Sequence, residues 1–291
     1  MSKYSFKKAL ANALLKSGIS LILFQEAFAS DGEFKVICPN PLPPTPKDFP
    51  RSEVYSSVPY KPGEITTYQA SWMGMHAGSA TIEVQSPQKH NGMWHRVFHV
   101  DGKTGDWFKG IFVAHDESTA FVRPWDAGVS KFYIEQNEGT LLGKPFIQKK
   151  WLDFNHDACK VTEKVWMPGK EDDIKDREVQ YGAIDAIGSV FKMRTFDYVL
   201  NKPEKFLVYT SEKNWFLEAN PVAIEDVTVP AGTFKSVKLR LQTYIGKALQ
   251  QKGEVYVWIA KSAPFQLVQV QGEIKIGSVF LRMSHYQEGQ K

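Results

Sequence analysis

Between residues 63 and 84 the chain reads GEITTYQASWMGMHAGSATIEV, and both halves of the stretch alternate. Tyr68, Ala70 and Trp72 interleave with Thr67, Gln69 and Ser71; Ala80, Ile82 and Val84 interleave with Ser79, Thr81 and Glu83. A period of two gives each half one apolar face, which predicts two strands joined as a hairpin through Gly74 to Gly78. Similar runs predict strands over 93–100, 118–123, 129–136, 146–154 and 158–166, and again over 205–210, 215–225, 233–244, 254–259, 266–270 and 273–286. The VPAGTF stretch reads as a tight turn, since Pro230 cannot donate to a ladder and Gly232 tolerates a positive φ. Two segments break the period. Trp107, Phe108, Ile111 and Phe112 are spaced as on a short helix, and Asp185 is placed to cap a helix reaching Arg194, with Ile184, Ile187, Val190 and Phe191 on one stripe. The charged stretch 167–178, MPGKEDDIKDRE, reads as an exposed loop.

About a dozen strands with two short helices predict a mainly β chain. A sheet of that size must curl, close or split. The expectation is one large curled antiparallel sheet forming a half-open or distorted barrel, with two short helices packed on or in it. No repeat of propeller or solenoid type recurs.

The ends change the picture of compartment and charge. Lys3, Lys7, Lys8 and Lys16 precede a short apolar run over 19–24, and Ala27-Phe28-Ala29 has the form of a cleavage site. Residues 1–29 read as a secretory signal peptide, which implies a periplasmic protein; the alternative is an uncleaved amphipathic helix. Without that segment the formal charge of +4 falls to about +1, and no basic patch suited to nucleic acid remains. No later run is long enough for a membrane helix. Half of the 16 prolines fall within 39–62. Residues 30–62 therefore read as a semi-rigid extension ahead of a barrel-like domain over 63–291, or as a strap lying along the barrel wall, which would account for Phe49 and Tyr55. Cys38 and Cys159 form no metal or redox motif; they are either one disulfide or two free thiols.

Four blocks in order, GEITTYQASWMGMHAGSATIEV, DAIGSVFKMR, IEDVTVPAGTFKSVKL and VWIAKSAPFQLVQVQGEIKIGSVFLRM, resemble the bacterial family known as domain of unknown function 3108. The resemblance spans about residues 60–286. It implies a secreted envelope protein with a curled sheet or half-open barrel. It implies no activity and carries over no catalytic residue.

Chemistry is sparse in the chain. His95 and His99, four apart in a strand, lie ~13 Å from one another and cannot jointly chelate a metal. Neighbours in a strand, as in His115-Asp116-Glu117, point to opposite faces. Ser189 and Ser278 lack the G-x-S-x-G elbow, and no P-loop or dinucleotide fingerprint is present. Asp101, Asp106 and Asp116 flank the Trp107 segment, either as caps or as the lining of a sugar site. No enzyme, metal or cofactor is expected. The aromatic wealth reads first as a large core, and second as an apolar concavity for a lipid or other amphipathic envelope molecule. Trp72, Trp107, Phe108, Phe112, Ile187 and Phe191 are the candidate contacts for such a guest. Alternatively, the chain is an interaction module that docks an envelope protein or glycan through the Pro-rich extension and an exposed sheet edge. A glycan or ester hydrolase is the least supported reading.

Overall fold

The computed structural model describes residues 34–290 except 47, 107–108, 110–111, 141–144, 211, 246–247, 250–252 and 274–276. The signal segment and most of the expected Trp107 helix lie outside the described residues. Fifteen strands follow in chain order: β1 Ile65–Trp72, β2 Met75–His90, β3 Met93–Thr104, β4 Phe112–Val122, β5 Val129–Thr140, β6 Phe146–Asn155, β7 Lys160–Trp166, β8 Asp173–Glu178, β9 Glu204–Thr210, β10 Lys213–Val229, β11 Gly232–Ile245, β12 Ala248–Leu249, β13 Val255–Ala260, β14 Leu267–Glu273 and β15 Ser278–Gln287. Among the described residues one helix, α1 Ala186–Met193, lies between β8 and β9, and a 3₁₀ turn covers Arg51–Glu53.

Fourteen strands form one antiparallel sheet in the order β8-β7-β6-β5-β4-β3-β2-β1-β15-β14-β13-β11-β10-β9, and β12 pairs beside β11. The chain meanders from β1 out to the β8 edge, crosses to β9 at the far edge, and meanders back until β15 pairs with β1. The sheet curls without closing. β8 and β9 do not pair, and the crossover fills the seam: Ile184 bridges β9 at Val208, while the carbonyl of Ala183 accepts from Val129 of β5. Side chains tighten the same seam. Asn214 donates to the Glu178 carbonyl (3.0 Å) and accepts from Gln180 N–H (2.8 Å), and Glu212 pairs with Arg177 and with Lys150.

The opening hairpin forms with Tyr68 opposite Ala80, and Thr66, Tyr68, Ala70 and Trp72 are its buried face. Its turn is tighter than the glycines suggested. Met73 and Gly74 both take positive φ, and Met75 already belongs to β2. Asn91-Gly92 makes the next turn in the same way, as an Asn-Gly pair favours. The buried face looks at side chains: Tyr68 lies in an apolar cluster with Trp215, Leu239 and Met283, and its hydroxyl donates to the Leu267 carbonyl.

Two stretches depart from the expected organisation. Residues 173–178, expected in a loop, form the edge strand β8 on β7. Their charges hide the strand from a periodicity argument, and such charges are how an edge is kept from pairing with other chains. The boundary at 62/63 separates residues that pack together. Val54, Tyr55 and Tyr60 are buried against Val84, Phe98 and Phe191, so this part of the Pro-rich segment is the strap along the wall and not a free extension. Tyr55 enters the β2–β3 ladder where its register shifts between Gln85 and Gln88. There its hydroxyl donates to Gln85 O and accepts from Val97 N (2.9 Å each), satisfying groups the bulge leaves open. Arg96 donates to the Val54, Ser57 and Pro124 oxygens and fixes the same strap.

Candidate functional site

Asp185 caps α1 as its sequence position implies, accepting from Ile187 N (2.7 Å) and Gly188 N (3.0 Å). The helix enters the barrel. Ile187 and Phe191 are 1% and 2% exposed, and the Phe191 ring stacks on Phe98 with centroids 3.7 Å apart. Tyr60 closes from the strap side at 4.8 Å. Two of the proposed guest contacts are thus spent on packing, because α1 plugs this end of the barrel. Trp72 is also buried, at the far end of β1. Phe112 begins β4, and Trp107 and Phe108 lie outside the described residues.

Towards the seam the inner face is polar instead of apolar. Lys150, Glu163, Arg177 and Glu212 line a cavity of about 320 Å³ and neutralise one another. Asp116 of β4 faces Gln136 of β5, which in turn faces Gln148 of β6. Gln136 donates to Glu138, and burial, reinforced by the neighbouring Asp116 carboxylate, pushes Glu138 up to about 8. The three aspartates that flank the Trp107 segment diverge: Asp116 points inward, Asp106 pairs with Lys109, and Asp101 faces out with His115 and Glu117. His115 and Glu117, two apart, share a strand face while Asp116 between them points the other way, and Asp101 lies opposite Glu117.

A pH dependence follows with opposing signs. Glu138 keeps its proton in the folded chain far above the pH at which an unfolded glutamate loses it, so its contribution is present in acid and disappears as the pH rises to about 8. Asp185, raised by burial to about 6, acts in the same sense at lower pH. His95 and His156, lowered by burial to about 4, have the opposite effect and cost stability as the pH falls from ~6.5 towards 4. Of these four, only Glu138 still titrates above ~6.5. Stability should therefore drop by roughly 2 kcal/mol, or about 5 °C in Tm, between pH 6.5 and 8. Glu138→Gln should flatten that limb in thermal melts. A limb that survives the substitution would have to arise from another group.

The most organised polar site lies at the strap end, where the turns β2–β3, β4–β5 and β6–β7 meet. A cavity of about 350 Å³ is lined by His90, His95, Arg123, Trp125, Ser130 and His156, together with Asp153, Asn155 and Thr45 of the strap. Its histidines are fixed. His95 Nδ1 donates to the Met93 carbonyl (2.9 Å), so Nε2 of the neutral ring accepts from Ser130 Oγ (2.9 Å). His156 Nε2 donates to the Val129 carbonyl (2.6 Å), and its Nδ1 accepts from Gly182 N (3.1 Å). Arg123 forks onto Asp126 and lies between the Trp125 and Tyr181 rings. Gly128 passes so close that a Cβ there would sit 2.5 Å from the guanidinium. One donor is left over: Trp125 Nε1 is buried without a hydrogen-bond partner among the described residues.

Sequence reasoning noted His95 and the His156-Asp157 turn but did not join them, because three separate hairpin ends build the pocket. Cys159, which ends the β6–β7 turn, is bonded to Cys38 of the strap.

The sequence matches the family described as protein of unknown function, DUF3108, over residues 67–284. The chain belongs to this family. That span of the DUF3108 fold runs from β1 to β15 and so takes in the whole curled sheet. The β-barrel-like protein of the DUF1849 family from Brucella abortus shares the fold, with a TM-score of 0.51 at 7% identity over 80% of this chain and all of that one. A protein with a YmcC-like fold from Bacteroides fragilis aligns less closely, with a TM-score of 0.30 at 10% identity over 79% of this chain and 98% of that one. No curated protein matches. Family membership brings an architecture and no activity.

Proposed function

We propose that this DUF3108 member is a non-enzymatic binding protein of the bacterial envelope, and that its ligand seat is the polar pocket under the strap. The reading rests above all on the lining of that cavity, where the Trp125 ring stands beside His95, Ser130 and His156, whose side chains are fixed by hydrogen bonds to one another or to the backbone. The pocket mixes aromatic rings with hydroxyl, amide, imidazole and carboxylate groups, which suits a small polyhydroxyl or amide-bearing molecule such as a glycan unit. A lipid guest has no support from Ile187, Phe191 or Trp72, which are buried in side-chain packing.

Ser130 and His95 have the spacing of a nucleophile and its base, but burial holds His95 at about 4. A general base works best with a pKa near the operating pH, so this imidazole is a weak one. A disulfide in the strap supports an oxidising compartment, in keeping with the signal-like N-terminus. Docking through the β8 edge of the sheet is disfavoured by its charges, and docking through a free extension by the burial of Val54, Tyr55 and Tyr60.

The reading is tested by native mass spectrometry of the secreted chain, followed by saturation-transfer NMR with neutral and N-acetylated mono- and disaccharides. At least one sugar should bind, and Trp125→Ala, which takes the ring out of the pocket wall, should weaken it by tenfold or more. No response from any sugar, or binding indifferent to Trp125, would overturn the assignment. Labelling of Ser130 by a fluorophosphonate would overturn its non-enzymatic part.

A further inference from the structure

The strap crosses the pocket between two fastenings of unequal kind. At its C-terminal side it is built into the core by Val54, Tyr55 and Tyr60, and Phe49 lies against Trp125 with ring centroids 6.0 Å apart. At its N-terminal side it is held by the Cys38–Cys159 bond, by a pair of hydrogen bonds between the Ile37 backbone and the Gln180 amide (2.8 and 2.6 Å), and by the Phe34–Phe216 ring contact. Between them, the described residues from Pro39 to Pro46 are exposed or half-buried, and Thr45 lines the pocket. Lifting this stretch removes no fully buried side chain from the core. Prolines at 39, 41, 43, 44 and 46 stiffen it, so it would move as a rod and not collapse into the opening. The two cysteines also differ in access: Cys38 is an exposed residue, whereas Cys159 is 4% exposed.

We propose that the strap is a cover latched by the Cys38–Cys159 disulfide, and that a dithiol reductant opens the pocket by cutting the latch. The proposal deepens the binding reading above and rests on the pocket being the ligand seat. A thiolate of the dithiol attacks the sulfur of the exposed residue Cys38, forming a mixed disulfide as Cys159 leaves as thiolate. The second thiol of the reductant then displaces Cys38, so that the reductant ends as a disulfide and the chain gains two electrons and two protons. The freed strap swings about the 3₁₀ turn at Arg51–Glu53, which lies just before the first core residue, Val54. The partner is thereby specified by chemistry as a dithiol of the thiol–disulfide exchange class.

Hydroxyl-radical footprinting tests this without any ligand, so its outcome is independent of whether a sugar binds. Met93 and Trp125 line the pocket, and Met283 in the β15 core is the internal control. In the double variant Cys38→Ser/Cys159→Ser, oxidation of Met93 and Trp125 should rise at least threefold while Met283 and the far-ultraviolet spectrum stay unchanged. Tm should fall by ~10 °C, because the bond ties residues 121 apart. Gln180→Ala with the disulfide intact should leave both pocket residues at the native rate. The proposal is overturned if Met93 and Trp125 do not change in the double variant, or if Met283 rises with them. It is equally overturned if the variant loses its sheet signal, since the bond is then a staple of the fold, or if Gln180→Ala alone opens the pocket.

Discussion

Replacing Arg194 by alanine is expected to destabilise the chain by about 3–5 kcal/mol. Arg194 ends α1 and is 4% exposed; Glu64, just before β1, is 3% exposed. The guanidinium meets both carboxylate oxygens, at 2.5 and 3.1 Å, and donates further to the Phe265 and Pro264 carbonyls. Tyr286 donates to the same carboxylate, and the Tyr60 and Phe191 rings lie 5.2 and 5.4 Å from the cation. One side chain thus ties the plug helix, the strap, the first strand, the β13–β14 turn and the last strand. Cutting it back leaves Glu64 charged and buried beside two carbonyls that have lost their donor, which is why the cost exceeds that of a surface pair. Thermal melts should show Tm lower by ~10 °C for Arg194→Ala. Arg194→Lys should fall between, since a lysine keeps the charge but cannot hold two oxygens and two carbonyls at once. A double change, Glu64→Gln with Arg194→Met, should recover part of the loss, because no unpaired charge remains. A drop of less than ~1 kcal/mol in the single alanine variant would show that water reaches the pair.

Alternation carried most of the architecture. Tyr68 to Trp72 and Ala80 to Val84 fall on the inner face as their period requires, and Asp185 caps the helix with the stripe that reads as apolar. What stayed hidden depends on contacts distant in sequence. Residues 173–178 carry too many charges to alternate, and only β7 beside them makes a strand. Tyr55 is legible as one side of a strap along the barrel wall, but its ladder position depends on a bulge some 30 residues on. The pocket at the strap end escapes for the same reason. His95, Ser130 and His156 are each ordinary in their own strand or turn, and three hairpin ends must meet before they share a cavity. Asn91-Gly92 was a local signal for one of those ends, since the pair fixes where β3 begins. The seam could not be read at all, because Ile184 and Val208 meet only once both meanders are complete.

Replacing Phe191 by alanine decides most directly between a filled barrel and a hollow one. Stacked at 3.7 Å on Phe98, edge-on to Tyr60 and 2% exposed, Phe191 has its contacts supplied by the protein itself. Truncating a core phenylalanine costs about 3–5 kcal/mol, from lost transfer energy and from the cavity left behind. The strap and the helix on either side are pinned by Arg96 and Arg194, so the site is poorly able to collapse, which favours the upper end of that range. Tm should fall by ~10 °C, and Phe191→Leu, which keeps most of the volume, should cost clearly less. Had Phe191 lined a guest cavity, the ligand-free chain would barely register its loss and only affinity for a lipid would change. A shift below ~1 kcal/mol, together with weakened retention of a fatty acyl probe, would therefore return the barrel interior to the role of binding site. A large shift with no change in sugar binding would keep the two ends of the molecule distinct, with an apolar plug that holds the half-barrel in shape and a polar pocket beyond it that meets the ligand.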